Sequence, residues 1–241
     1  MEWKSAREVF GEDNYDILPE KDEDFSPNAI KQGVLGDCYF LSGLAALAEW
    51  PQRVRSLFVT DKPNKQGRYI VRLFLNGEKF EIEVDEFFPY KHGFAFCHCG
   101  EEKHIWPMLL EKAYAKVFGS YQRIESGTMM ESLQVLTCSF VDLYDHAKTE
   151  INELWQQILS ADRQEFIMLT NVHTESSNTS ARVKALGLVD NHAYTLIGAH
   201  EIEPSPGENV RLLKVRNPWG RGEWEGDWSD ESSKWTPELK Q

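Results

Sequence analysis

The feature that most constrains the fold of this chain is a pair of strand-like segments joined by Asn76-Gly77. Arg68 to Leu75 and Glu78 to Asp85 flank this dipeptide. Asn-Gly readily adopts the positive φ angles of a two-residue turn, so the two arms are predicted to pair as an antiparallel hairpin. The second arm alternates apolar and charged residues, and one of its faces is therefore predicted to contact solvent.

The remaining elements form a mixed pattern. Tyr39 to Trp50 predicts a mostly buried helix that Pro51 ends. Further helices are predicted over residues 106–118 and 150–159, strands over residues 165–172, 193–202 and 210–216, and a polar loop over residues 173–182. Helices prevail early and strands late, which predicts the α+β class with two lobes. The seam is predicted near Thr137 to Ser139, which gives a helical N-terminal lobe over residues 1–138 and a β-rich C-terminal lobe over residues 139–241.

Composition narrows the functional class. The net charge of −13 argues against a nucleic-acid-binding protein, whose surface should carry excess Lys and Arg. No secretory signal is visible at the N-terminus, which is also what a fragment would show, and the longest apolar stretch, Tyr39 to Ala48, is too short to span a bilayer. Four cysteines in 241 residues do not make a disulfide framework. We therefore expect a reducing, cytoplasmic setting.

Cys38 is the candidate nucleophile. It follows two glycines in the segment Gln32-Gly-Val-Leu-Gly-Asp-Cys-Tyr-Phe and stands at the head of the first predicted helix. Unpaired backbone N–H groups and the positive end of the helix dipole both favour a thiolate there. Gln32 can return a side-chain amide donor to the same place.

His192 and Asn217 complete a candidate triad. An early Cys followed far downstream by His and Asn is a known arrangement for a cysteine nucleophile, with His as proton carrier and Asn as its orienting group. Trp219 can cover the His–Asn hydrogen bond. Each residue alone has a plainer interpretation, since a buried cysteine is usually a small core residue and Asn-Pro is usually a turn. Their joint presence favours catalysis.

Four segments of the chain resemble the calpain family of cysteine proteases. These are Gln32-Gly-Val-Leu-Gly-Asp-Cys-Tyr, Trp106 with Leu109-Leu-Glu-Lys-Ala-Tyr-Ala-Lys, Leu188-Val-Asp-Asn-His-Ala-Tyr-Thr, and Arg216-Asn-Pro-Trp-Gly with Glu223-Trp-Glu-Gly-Asp-Trp-Ser-Asp. The resemblance runs from about residue 25 to 235. It implies the two-lobed papain-like fold with the active site in the cleft between the lobes.

The resemblance also implies roles for individual residues. It assigns the nucleophile to Cys38, the general acid and base to His192, the orienting group to Asn217 and the oxyanion-hole donor to Gln32. These roles agree with those inferred from the residues themselves.

The chain departs from the family pattern at several places. Tyr39 follows the nucleophile where Trp is common, and Cys138-Ser139 stands at the seam where Gly-Gly is frequent. The family's closing strands would lie beyond Gln241, as in a trimmed or divergent member.

Two metal hypotheses remain. His92, Cys97, His98, Cys99 and His104 contain zinc-ligand types, but their spacing fits no common zinc pattern.

The resemblance implies calcium instead, with one site in each lobe. The first-lobe ligand positions correspond to Ala29 and His104, neither of which offers a carboxylate. In the second lobe Glu223 and Asp230 match acidic ligand positions, with the remaining ligands beyond Gln241. We expect the first site to be absent and the second to be at best a weak remnant. The alternative is that Glu223 and Asp230 merely face solvent.

The sequence therefore predicts an intracellular calpain-like cysteine endopeptidase that cleaves protein or peptide substrates. It predicts no nucleic-acid partner and no membrane span, and leaves room for flanking regulatory domains in a longer protein. The main alternative is a catalytically silent calpain-like interaction module, and a transferase using the same Cys–His chemistry is a further one.

Overall fold

The computed structural model describes residues 1–174 and 176–239. Its backbone contacts divide the chain into two compact units. The first unit comprises Met1–Leu143 together with Pro218–Gly220, and the second comprises Tyr144–Asn217 together with the residues from Arg221 onward. The domain division at residues 138 and 139 stays a prediction.

The first unit combines helices with two small antiparallel sheets. Its elements are β1 (Glu2–Ser5), α1 (Ala6–Phe10), α2 (Cys38–Ala48), α3 (Pro51–Ser56), β2 (Arg68–Leu75), β3 (Glu78–Asp85), β4 (Phe87–Tyr90), α4 (Trp106–Phe118) and α5 (Met129–Thr137). Strand β1 pairs with β4, and β2 pairs with β3. The predicted helical N-terminal lobe thus also contains the predicted hairpin.

Helix α2 lies at the centre of this unit. Every residue from Tyr39 to Ala48 is buried, and Phe40 stacks on Tyr114 of α4 with ring centroids 4.2 Å apart. A Cβ atom on Gly43 would come within 2.9 Å of Ser132 Oγ on α5, so a glycine here lets the two helices approach closely.

The hairpin prediction is confirmed residue by residue. Strand β2 ends directly before Asn76, and β3 begins directly after Gly77. The φ angles of these two residues are 52° and 82°. Both angles are positive, as a tight turn matching the right-handed strand twist requires.

Helices α4 and α5 are each followed by a capping residue in the left-handed conformation. Gly119 closes α4 in the left-handed conformation, which glycine adopts without steric penalty. Helix α5 begins with a capping box between Thr128 and Glu131 and ends at Cys138, whose φ is 58°. Helix α5 was not among the helices predicted from the sequence.

The second unit contains a three-stranded antiparallel sheet with helices. Its elements are α6 (Ile151–Arg163), β5 (Met168–Val172), α7 (Ser177–Ala185), β6 (His192–Ser205) and β7 (Glu208–Arg216), and the strand order is β5-β6-β7. Trp155 and Leu159 of α6 pack with Ala199 of β6 in a small core. The Trp155 indole also donates a hydrogen bond of 2.6 Å to Glu201.

Two local predictions for this unit were wrong. The segment predicted as a polar loop contains α7, because Ser176 caps a helix by accepting from the Thr179 N–H. Strand β5 starts later than predicted, since Glu165 has a φ of 57° and the Phe166 N–H closes the end of α6 on the Ala161 carbonyl. The mixture of helix and strand confirms the predicted α+β class. Within the described residues, no helix has the length and apolar character needed to cross a membrane.

Candidate active site

Cys38 is the first residue of α2. The carbonyl of Asp37, at the N-cap, accepts from the N–H groups of Phe40 and Leu41 at 2.9 Å and 3.1 Å. Cys38 itself is partly exposed, whereas the rest of the helix is buried. The helix-start position predicted from the sequence is therefore confirmed, and it puts the thiol where the helix dipole stabilises a thiolate.

Gln32 is held by its backbone and by its side chain. Its N–H donates to the Pro218 carbonyl at 2.9 Å, and its Nε2 donates to the Leu35 carbonyl at 2.7 Å. An amide nitrogen carries two hydrogens, so the bond to Leu35 orients the group while leaving a second donor. The neighbouring Gly33 has no room for a side chain, because a Cβ atom would lie 2.1 Å from the Ala95 carbonyl oxygen.

His192 and Asn217 form a hydrogen-bonded pair within the second unit. Asn217 Oδ1 lies 2.8 Å from His192 Nε2, and Asn217 Nδ2 donates to the Arg221 carbonyl at 3.0 Å. The bond to Arg221 identifies the nitrogen of the amide and hence its oxygen. Because that oxygen can only accept, Nε2 carries the hydrogen and Nδ1 is the basic nitrogen of the neutral ring.

The end of β6 that carries His192 is fixed by neighbours that the sequence interpretation missed. Tyr194 packs edge-on against the imidazole with centroids 4.9 Å apart, and its hydroxyl accepts from the Val189 N–H at 2.8 Å. Asp190 accepts from the Thr174 hydroxyl at 2.6 Å. A polar side chain two residues from a candidate catalytic histidine is the one sequence signal that could have suggested these contacts.

Burial sets the protonation of His192. The residue is 4% exposed. Burial lowers the pKa of its imidazole from the ordinary value of 6.5, and the hydrogen bond to Asn217 opposes this by favouring the charged ring. The neutral ring, with Nδ1 able to accept a proton, therefore prevails at neutral pH.

Trp219 belongs to the first unit, within the short segment Pro218–Gly220, and its side chain is 38% exposed. Its role as a cover for the pair of His192 and Asn217 stays a prediction.

The candidate zinc ligands have unfavourable chemistry. Cys97 and Cys99 are buried, and burial raises the pKa of both thiols, which disfavours the thiolate that binds a metal. Across residues 1–174 and 176–239, no three His, Cys, Asp or Glu side chains are grouped so as to hold a metal ion.

The calcium positions fit calcium poorly. Ala29 lies in a short 3₁₀ turn, and the backbone of His104 bridges to that of Asp16. Their side chains supply no hard oxygen. Glu223 and Asp230 are both exposed, and two carboxylates fall short of the roughly six to eight oxygens that calcium takes.

Comparison with known proteins identifies the family. The family model of the calpain family cysteine proteases matches residues 1–241. The chain belongs to this family. The calpain-type cysteine protease DEK1 of Arabidopsis thaliana is 32% identical over 99% of this chain and 11% of its own length. The calpain-2 catalytic subunit of Rattus norvegicus is 33% identical over 100% of this chain and 34% of its own length, and that of Homo sapiens is 33% identical over 98% and 33%.

The resemblance to calpains drawn from the sequence is thereby confirmed, and the general activity of a calpain-family cysteine protease is proteolysis. The chain spans about a third of the length of the calpain-2 catalytic subunits and 11% of that of the Arabidopsis protein. The roles assigned to individual residues of this calpain-family chain stay predictions.

The contribution of the His192–Asn217 hydrogen bond to the pKa of the histidine can be tested. Asn217→Ala should lower the pKa of His192 further, because it removes a hydrogen bond that favours the charged ring. The measurement is an NMR pH titration of the histidine ring protons, with the His192 signal assigned by its loss in His192→Gln. Asn152→Ala, on the exposed surface of the same unit, serves as the control and should leave that signal unchanged. An unchanged or raised midpoint in Asn217→Ala would contradict the assignment.

Proposed function

We propose that this chain is a cysteine endopeptidase in which Cys38 is the nucleophile, His192 the general acid and base, and Asn217 the orienting group. The observation that carries the proposal is the 2.8 Å hydrogen bond between His192 Nε2 and Asn217 Oδ1, in a chain that belongs to a cysteine protease family. Protein or peptide substrates follow from that family.

The proposed reaction has two halves, in which Cys38 is first acylated and then released by water. His192 takes the proton of the Cys38 thiol at Nδ1, and the thiolate attacks the carbonyl carbon of the scissile peptide bond. The imidazolium then protonates the departing amine as the C–N bond breaks, which leaves a thioester on Cys38. Water, deprotonated by His192, hydrolyses the thioester and returns the thiol.

The oxyanion formed at each step needs hydrogen-bond donors. The backbone N–H of Cys38 and the side-chain amide of Gln32 are proposed for this role. The hydrogen bond from Gln32 to the Leu35 carbonyl supports it, because a donor fixed before the reaction needs no reorganisation when charge develops.

An intracellular location is part of the proposal. All four cysteines, Cys38, Cys97, Cys99 and Cys138, are free thiols, which suits a reducing compartment. The much greater length of the relatives supports flanking regulatory domains as partners of this protease core.

Replacement of the nucleophile is the first test. Cys38→Ala should reduce cleavage of a fluorogenic peptide by about 10⁴-fold or more, since a triad without its nucleophile retains little beyond binding. Cys138→Ala, which removes an exposed cysteine of the same chain, should leave most activity. Matching circular dichroism spectra would establish that both variants fold. Turnover retained in Cys38→Ala would remove the central claim.

Covalent labelling of the cysteines separates the protease from a catalytically silent interaction module. An epoxide warhead reacts selectively with an activated thiolate, so mass spectrometry should find the label on Cys38 before the other three cysteines. Indifference of Cys38 to the warhead would favour the silent module.

The oxyanion role of Gln32 has its own kinetic signature. Gln32→Ala should lower kcat by about 10² to 10³-fold, as expected for the loss of one oxyanion donor. Steady-state kinetics on a peptide substrate measure this. A change confined to KM would show that Gln32 contributes to binding alone and would contradict the role.

For calcium we propose that the first-lobe site is absent and that Glu223 and Asp230 make at most one weak site. Isothermal titration of calcium into the chain measures this directly. A single weak binding event that disappears in Asp230→Asn would support the proposal. Two binding events of micromolar affinity would contradict it.

A further inference from the structure

Two buried carboxyl groups, one of them directly before the candidate nucleophile in the chain, are not used by the proposed chemistry. Asp37 directly precedes Cys38 and is fully buried, and Glu111, in the middle of α4, is 1% exposed. Burial without a partner is costly for an ionised carboxylate. Their presence at this place therefore requires a physical explanation.

The surroundings of the two groups supply few hydrogen-bond donors. Glu111 Oε1 accepts from the Cys97 N–H at 2.9 Å. By distance and angle, both carboxyl oxygens of Asp37 lack a hydrogen bond from the described residues, and the one N–H that favours their charged form is that of Asp37 itself. The Asp37 side chain does not cap α2. Neither acid forms an ion pair with a described Lys, Arg or His.

The group that interacts most directly with Asp37 is the carboxyl of Glu111, on the helix α4 that packs against α2. Two ionised carboxylates repel each other and have no hydrogen to share. They bond to each other only when one of them carries a proton. A shared proton would account for both the contact and the missing donors.

The neighbouring titratable groups add no positive charge. Among the described residues, the pair acts electrostatically on the acids Cys97, Tyr121, Tyr39 and Tyr114. The carboxylates of Asp85 and Glu131 act on some of these same groups.

These surroundings favour the protonated form. Burial raises the pKa of Asp37, and burial together with the adjoining Asp37 carboxyl raises the pKa of Glu111 well above its usual range. Among the described residues, no Lys, Arg or His forms an ion pair with either acid to compensate for two negative charges.

We propose that Asp37 and Glu111 share one proton, and that this hydrogen-bonded carboxyl pair is a positioning device that ties α4 to the first turn of the helix bearing Cys38. The positioning part rests on the proposed role of Cys38 as nucleophile, whereas the shared proton does not. The pair also limits the negative charge next to Cys38, where an additional anion would disfavour the thiolate.

The shared proton has a thermodynamic signature of known sign. Carboxyls with a raised pKa hold protons in the folded state that the unfolded chain has released. The free energy of unfolding is therefore expected to fall as pH rises above the ordinary carboxyl range, and its slope counts the protons taken up on folding. Replacement of either acid by its amide should reduce that count by up to about one proton.

Urea unfolding of the whole chain between about pH 5 and about pH 8 measures the count. Glu111→Gln and Asp37→Asn should both flatten the pH dependence relative to the wild type. Glu125→Gln is the matched control, because Glu125 is exposed and its side chain approaches Gly36 in the same segment. It should run parallel to the wild type. An unchanged slope in Glu111→Gln would overturn the shared proton and favour two ionised groups bridged by water or a cation.

Infrared spectroscopy gives a readout that does not depend on reversible unfolding. At neutral pH the wild type should show the carbonyl stretch of a protonated carboxylic acid, and Glu111→Gln should lose it or shift it. Absence of this band from the folded wild type would also overturn the proposal. Neither measurement involves peptide cleavage, so failure of the shared proton and failure of the protease assignment are distinguishable.

The positioning role is tested by the reactivity of Cys38. Its rate of alkylation by iodoacetamide, followed by mass spectrometry of the Cys38 peptide, reports how well the thiolate is placed and stabilised. Glu111→Ala should slow this reaction about tenfold, the equivalent of about one hydrogen bond, and shift its pH profile upward. The double variant Asp37→Asn with Glu111→Gln keeps an amide hydrogen bond without a charge and should restore the rate. Equal rates in all three proteins would show that the pair does not position the nucleophile.

Discussion

The burial of α2 is the constraint on which the first unit depends. All ten residues after Cys38 in this helix are buried, and each large apolar side chain among them contributes about 1.5 to 3 kcal/mol by leaving water. The close approach of α5 at Gly43 and the stacking of Phe40 on Tyr114 fix the helix in position. The partly exposed first residue of this helix is Cys38. A candidate nucleophile held in this way has a defined position, because moving it would require repacking the core.

Two buried acids of the first unit, Glu86 and Asp37, differ in the hydrogen-bond donors around them. Glu86 is 3% exposed and accepts hydrogen bonds from the Tyr15 and Tyr69 hydroxyls at 2.5 Å and 2.7 Å, with Arg7 at 3.5 Å. That carboxylate has ample donors and joins the N-terminal elements to the hairpin. Asp37 has no such donors, although it lies next to the candidate nucleophile. A buried polar group without donors is unusual away from functional sites, and this contrast is why the proton shared with Glu111 has a role beyond packing.

In the second unit, the three-stranded sheet positions the candidate pair His192 and Asn217. His192 is the first residue of β6 and pairs with Val172 of β5, and six of the next seven residues of the strand are buried. Asn217 follows β7, the other neighbour of β6, so the antiparallel order of the sheet is what brings two residues distant in sequence into hydrogen-bonding contact. The rigid sheet holds the imidazole, and its burial keeps the ring neutral until a proton is offered.

What the sequence alone determined about this protein is local. Asn76-Gly77 specified a hairpin because its φ preferences act within two residues, and Gly119 specified the end of α4 for the same reason. The glycine-flanked Cys38 indicated a helix start, and the order of Cys38, His192 and Asn217 indicated a candidate triad. The longer motif segments of the chain indicated the calpain family. Even so, the short-range signals overlooked α7, because its polar, serine-rich composition is equally typical of a loop.

The tertiary structure decided the rest, because burial and proximity depend on contacts between residues far apart in the chain. Glu111 looks like an ordinary surface acid in its helical sequence, and only the packing of α4 against α2 puts its carboxyl against Asp37. The tautomer of His192 likewise follows from which atom of Asn217 faces the ring, and the bond to the Arg221 carbonyl fixes that orientation. Sequence patterns and spacing identified the candidate residues. Their protonation depends on burial, on neighbouring charges and on hydrogen bonds, and these contacts form only when the chain folds.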